Sequence, residues 1–168
     1  MKQDKINIRH FFQDTDFTCG PTSLQMLFDF YGVHVSEKHL QHEAHTSKKL
    51  GTRHKAMINT ALHHGFFVYA NNDSSIEEIE YLLSLRIPPI VHYIEHTENW
   101  GHYAVVSNVS KAKIHLADPW FGEHMSYHKD DFIERWKSED GKHPRWLMGI
   151  STELPTLGKT YVPKRKGI

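Results

Sequence analysis

The sequence predicts an α+β protein, and three observations carry that assignment. Up to about residue 84, most apolar residues recur at helical spacing behind polar caps. Pro88-Pro89 then breaks the pattern. Beyond it come short runs of β-branched and aromatic residues separated by polar turns. A helix-rich half followed by a strand-rich half implies helices packed on a C-terminal antiparallel sheet.

Taken in order, residues 5 to 12 mix β-branched, aromatic and polar side chains and read as a short strand or an extended lead-in. Gly20-Pro21 opens the first helix, because proline is tolerated only where its missing N–H is not needed. Leu24, Leu27, Phe28 and Tyr31 form its core face, and Gly32 is its left-handed stop. Ser36 caps a polar second helix to about Ala44. Thr52 is expected to cap a third helix to about His64, with Ile58, Ala61 and Leu62 inward and Gly65 as its stop. Phe66 to Ala70 is short and β-prone and reads as a strand. Ser75 and Glu78 form a capping box for a helix carrying Ile76, Ile79, Leu82 and Leu83.

After the prolines, Ile90 to Ile94, His102 to Asn108 and Lys113 to Ala117 read as strands, the last two as an antiparallel hairpin. Lys129 to Lys137 is a short helix with Phe132, Ile133 and Trp136 inward, and Arg145 to Ser151 a final strand. Residues 1–152 thus make one domain, and 153–168 a polar, basic, loosely held tail.

Composition narrows the function classes. The 168 residues hold 20 Lys and Arg against 20 Asp and Glu, so no charge excess points to nucleic acid or an anionic membrane surface. No run approaches the roughly 18 apolar residues of a membrane span, and the polar Met1 to Lys5 leads into no signal core. A lone cysteine cannot form an internal disulfide and suits a reducing, cytoplasmic setting. Of the fifteen histidines, His39, His42 and His45 come nearest to a metal pattern. Three-residue steps bring only neighbouring pairs to one helix face, so no metal site is expected. No Gly-x-x-x-x-Gly-Lys-Ser/Thr loop is present and no cofactor is expected.

The chemistry concentrates on Cys19, at the mouth of the first helix. Free N–H groups and the positive dipole end favour a thiolate at such a position. A nucleophile needs a base, and the base a partner that orients it. His102 opens one predicted strand and Asp118 ends its antiparallel neighbour, so pairing brings the two together. Gln13 lies six residues before the thiol, where its amide can fold back. Each residue has a plainer alternative: a buried small cysteine, a strand-edge histidine, an aspartate that merely starts the Asp118-Pro119 turn, a loop glutamine. Trp100, Trp120 and Phe121 either wall a groove or simply pack.

Taken together, Gln13, Cys19-Gly20 before an apolar helix ending in Tyr31-Gly32, Gly101-His102-Tyr103-Ala104-Val105-Val106, and Asp118-Pro119-x-x-Gly122 resemble the bacteriocin-processing cysteine peptidases. These are papain-like enzymes that cut double-glycine leader peptides. The resemblance runs from Gln13 to Gly122 and more loosely to Ile150. It implies a papain-like fold; such relatives are often fused to a transporter with an ATPase domain, for which 168 residues leave no room, so a stand-alone form is expected. It also implies Cys19 as nucleophile, His102 as general base, Asp118 as orienter of the imidazole and Gln13 as oxyanion-hole donor. The expected partner is a peptide or protein substrate, with neither nucleic acid nor membrane insertion, and oligomeric state stays open. Acyl transfer, hydrolysis of a non-peptide amide, and a non-catalytic peptide-binding module are the competing readings.

Overall fold

The computed structural model describes residues 6–163; the expected polar start at Met1 to Lys5 and the basic end from Lys164 lie outside the described residues. Its elements run α1 (Cys19–Phe30), α2 (Glu37–Glu43), α3 (His54–His63), β1 (Phe67–Asn71), α4 (Ile76–Ser84), β2 (Ile90–Ile94), β3 (Gly101–Val109), β4 (Lys113–Asp118), β5 (Gly122–His128), α5 (Lys129–Arg135), β6 (Leu147–Ser151) and β7 (Thr160–Tyr161). The strands form one seven-stranded sheet in the order β5-β4-β3-β2-β6-β1-β7, each pair antiparallel.

The helices form for the reasons their sequences suggest. Leu24, Leu27 and Phe28 of α1 are fully buried against the sheet. Tyr31 is only partly buried, and its hydroxyl reaches across to donate to the Ile150 carbonyl. Gly32 and Gly65 follow their helices at φ of 77° and 86°, a region that favours glycine. Ser36 accepts from His39 N–H at 3.2 Å, a side-chain cap that satisfies one orphan donor of α2.

Local chemistry departs from expectation at several places. Thr52 does not cap α3; Arg53 holds that position without a side-chain cap. The Thr52 hydroxyl instead pairs with Thr46 at 2.7 Å, and its carbonyl accepts from the Tyr103 hydroxyl. Ser75 does accept from Glu78 N–H, but the Glu78 carboxylate turns to Tyr69 and Asn71 rather than back to the cap. Residues 6 to 13 carry no regular secondary structure and join no strand. Ile133 is 42% exposed, while its neighbours Phe132 and Trp136 fill the core. Two strands were not anticipated. In β5 only Tyr127 is buried, so this edge strand lacks the apolar alternation that marks a half-buried one. β7, inside the expected tail, pairs Tyr161 with Val68 and Thr160 with Tyr69.

The β2-β3-β4 register positions the site. Tyr93 on β2 faces His102 on β3, and the β3-β4 hairpin returns the chain so that Asp118 arrives beside His102.

Candidate active site

Cys19 is the first residue of α1 and is partly exposed. Thr18 precedes it as N-cap but offers no cap bond. Its hydroxyl is turned back into the preceding turn, where it accepts from Thr15 N–H and pairs with the Thr15 hydroxyl at 2.9 Å. The first N–H groups of α1 therefore stay clear of a side-chain cap beside the sulfur. Gly20 is needed for a second reason: a Cβ there would stand 2.7 Å from Thr52 Oγ1 and 2.9 Å from Thr52 Cβ. Only glycine lets α1 approach the segment leading into α3 so closely.

His102 is 6% exposed, and Asp118 is fully buried. His102 Nε2 donates to Asp118 Oδ1 at 2.7 Å, and the imidazole also feels the Cys19 thiol electrostatically. Since Nε2 is engaged by the carboxylate, Nδ1 is the ring nitrogen left for another partner. Burial by itself pushes the imidazole toward its neutral form. The charge and hydrogen bond of Asp118, with the influence of Cys19, outweigh it and raise the pKa above the ordinary histidine value.

Asp118 is saturated with donors. Oδ1 also accepts Trp120 N–H at 2.9 Å and Phe121 N–H at 3.0 Å, and Oδ2 accepts the Tyr93 hydroxyl at 2.5 Å. Burial opposes the carboxylate's charge, yet His102 and these donors hold its pKa below the usual range. The same oxygen thus accepts from both the turn and the imidazole. Tyr93 was missed at the level of sequence. Its signal is the strand register, which sets it opposite His102.

Gln13 is tied to this corner through its backbone, its N–H donating to Pro119 O at 2.9 Å. His10 Nε2 donates to Asp118 O at 2.6 Å just upstream, so the lead-in is stitched along the end of β4. The Gln13 amide gives one N–H to Thr15 O at 2.6 Å. An amide nitrogen carries two, which leaves one for another acceptor. Asp14 N–H is held by the Glu37 carboxylate at 3.1 and 3.2 Å, fastening the turn to α2.

A groove of about 1200 Å³ opens onto Cys19, lined by Thr52, His54, His92, Tyr103, Trp100 and Trp146 among others. Trp100 and Trp120 are 55% and 52% exposed, so burial in the core is not their role. Phe121 meets the His102 ring edge-on at 5.9 Å. Sequence reasoning gave no hint of the histidines in the wall. His54 Nε2 lies 2.7 Å from His92 Nδ1, and His54 stacks flat on Trp146 at 4.0 Å. Burial first, then neighbouring imidazoles, push His54 down to about 3 and His92 down to about 4. This pair is therefore pushed toward the neutral form, while His102 is held toward the charged one. The trio His39, His42 and His45 does not act as a unit. Among the described residues, His39 instead shares the Glu43 carboxylate with His64, at 2.6 Å each, and these three groups have ligand atoms within 4.8 Å of one another.

Residues 7–139 match the model of the peptidase C39 family. The chain belongs to the peptidase C39 family, a family of cysteine peptidases. It is 30% identical over 167 residues to the transport/processing ATP-binding protein ComA of Streptococcus pneumoniae, matching over 92% of its own length. It spans 23% of the length of that curated relative. Among solved structures, the peptidase domain of Streptococcus ComA superposes with a TM-score of 0.72 at 22% identity, covering 88% of this chain and 100% of that one. A putative C39-like peptidase from Bacillus anthracis gives 0.71 at 14% identity, covering 89% and 98%. A double glycine motif protease from an AMS/PCAT transporter, solved with its leader peptide, gives 0.68 at 16% identity, covering 88% and 94%. The expected papain-like α+β fold of the bacteriocin-processing type is the fold observed. No described helix of this C39 domain is long and apolar enough to cross a membrane.

Proposed function

We propose that this C39 domain hydrolyses a peptide bond through a thioester on Cys19. The observation that carries the reading is the buried imidazole of His102, held by Asp118 at 2.7 Å and coupled electrostatically to Cys19. Cys19 attacks the scissile carbonyl carbon as a thiolate, with the His102 imidazolium as its counter-charge. The carbonyl oxygen, now negative, is received by the Cys19 N–H and the free N–H of the Gln13 amide. As the C–N bond breaks, His102 gives its Nδ1 proton to the leaving amine. The acyl group remains on sulfur. Water then attacks the thioester with His102 as base, releasing the carboxylate product and regenerating the pair.

The leader peptide bound by the double glycine motif protease makes a leader-type peptide the first substrate to try. The single thiol supports a cytoplasmic setting, where it stays reduced. The test is mass spectrometry of a peptide library incubated with the protein. Cleavage should vanish in Cys19→Ala, which should unfold at a near-normal midpoint. His102→Ala should slow labelling of Cys19 by a small electrophile. Turnover that survives in Cys19→Ala refutes the assignment. An acyl adduct that passes to an added amine in preference to water would make the protein an acyl transferase. Binding without any adduct would make it a binding module.

A further inference from the structure

We infer that the groove beside Cys19 selects peptides bearing acidic side chains, and that a basic rim formed by residues 48–55 with Lys159 recognises them. This rests on the peptidase reading and deepens it by naming a substrate class. The rim is built by a closed turn. Ser47 and Gly51 exchange backbone hydrogen bonds at 3.1 and 2.7 Å, and Leu50 N–H donates to the Ser47 hydroxyl. That closure leaves Lys48 and Lys49 exposed, and both line the groove that contains Cys19. Arg53, Lys55 and Lys159 are also exposed and line the same space.

Two features turn this cluster into a recognition surface. The protein is neutral overall, with 20 cations and 20 anions, whereas the groove lining sets Lys48, Lys49, Arg53, Lys55 and Lys159 against Asp16, Glu139 and Asp140, a local positive excess on a balanced background. Those cations are also unspent. Among the described residues, the Lys and Arg ion pairs within 4.0 Å are Arg9–Asp29, Lys129–Glu80 and Arg135–Asp131, and none involves the rim. The carboxylates that line the groove, Asp16, Glu139 and Asp140, do not neutralise it at contact distance. Glu139 accepts Gly101 N–H, and Asp140 accepts the Ser138 hydroxyl and Lys142 N–H. Charges that meet no internal partner but face a substrate channel steer and orient a substrate of opposite sign.

The experiment is a competition assay with peptides that share one scissile sequence and carry Glu, Gln or Lys at each flanking position in turn. Each exposed pair contributes a modest effect, so several together are expected to give the Glu peptide about a tenfold higher kcat/KM than its Gln counterpart at low salt. The advantage should shrink toward about 0.5 M salt, where the screening length falls to a few ångströms. Lys48→Glu/Lys49→Glu and Arg53→Glu/Lys55→Glu should each reduce the Glu-to-Gln ratio, and the fourfold variant should favour Lys peptides. Equal use of Glu and Gln peptides, or a ratio unmoved in the variants, overturns the inference while leaving the peptidase intact. If no peptide is cut, fluorescence anisotropy of the same labelled peptides on Cys19→Ala still decides it. Preferential, salt-sensitive binding of the acidic peptide then supports the rim without the chemistry, and equal binding rejects it.

Discussion

Replacing Asp118 by asparagine removes one charge from the centre of the site while keeping the shape of the side chain. In the structure the carboxylate accepts four hydrogen bonds, from His102, Trp120, Phe121 and Tyr93. An amide oxygen can still accept, but the bond loses its charge assistance. Bonds to charged groups are worth about 1.5–3 kcal/mol and neutral ones about 0.5–1.5 kcal/mol. The His102 bond alone therefore weakens by about 1–1.5 kcal/mol, and the direct attraction between carboxylate and imidazolium is lost as well. Together these predict a roughly 10- to 100-fold fall in kcat/KM, since about 1.4 kcal/mol is tenfold. A pH signature separates this from a merely structural effect. Asp118 raises the His102 pKa against burial, so in the Asp118→Asn variant the imidazolium is lost at lower pH. The alkaline limb of the kcat/KM profile should move toward neutrality by about a unit or more. Steady-state cleavage of one fluorogenic peptide across mildly acidic to alkaline pH measures both effects. Wild-type kcat/KM with an unmoved alkaline limb would refute the claim that Asp118 governs the imidazole.

Gln13→Ala should lower kcat about 100- to 1,000-fold, the usual cost of one oxyanion donor. Labelling of Cys19 by a small alkylating agent, which forms no oxyanion, should change only a few-fold; equal losses in both assays would instead indicate a disordered turn. Gly20→Ala should destabilise the fold by about 1–3 kcal/mol in chemical denaturation, because the new methyl meets Thr52 at 2.7–2.9 Å and overpacking outweighs the gain of about 1 kcal/mol in helix propensity. An unchanged midpoint would show that Thr52 yields freely. His54 and His92 have depressed pKa values, so the unfolded chain binds protons that the native pair refuses. Their contribution is complete above about pH 6.5 and is lost as pH falls toward 4, each group costing up to about 1.4 kcal/mol per pH unit. His102 has the opposite sign: its contribution is full below about pH 6.5 and is lost only on the alkaline side. Urea midpoints at about pH 7, 6 and 5 should therefore fall steadily, and a flat series would place the pair in contact with water.

Much of this was legible because it is written locally. Ser36, Gly32 and the apolar spacing of α1 and α4 act within a few residues, and the structure uses them as the pattern suggests. The juxtaposition of His102 and Asp118 was legible as well, since a short hairpin sets its own register. What escaped is non-local. β5 is held by backbone pairing to β4 and shows no apolar period of its own. Thr52 looks like a helix cap, but its hydroxyl finds Thr46 and its carbonyl finds Tyr103, partners invisible from neighbouring sequence. Tyr93 and the His54–His92 pair likewise depend on which strands and helices face one another.

Burial alone does not select the base from among fifteen histidines. His92, partly exposed in the groove wall, and His102, buried, sit on adjacent strands, and loss of solvent drives both toward the neutral form. They end on opposite sides of the ordinary value because, of the two, only His102 has a buried carboxylate within hydrogen-bonding distance. His92 faces other imidazoles, which push it further down. His34 beside Asp29 and His124 beside Glu123 are largely exposed, where water screens the pair, while His64, 19% exposed, shares the Glu43 carboxylate with His39. The conjunction needed for the proposed chemistry is a buried imidazole, a buried anion behind it and a sulfur in front. The β3-β4 hairpin supplies the first two, and the uncapped start of α1 supplies the third. Moving that carboxylate beside His92 would protonate the wrong ring, and leave the sulfur facing a neutral one.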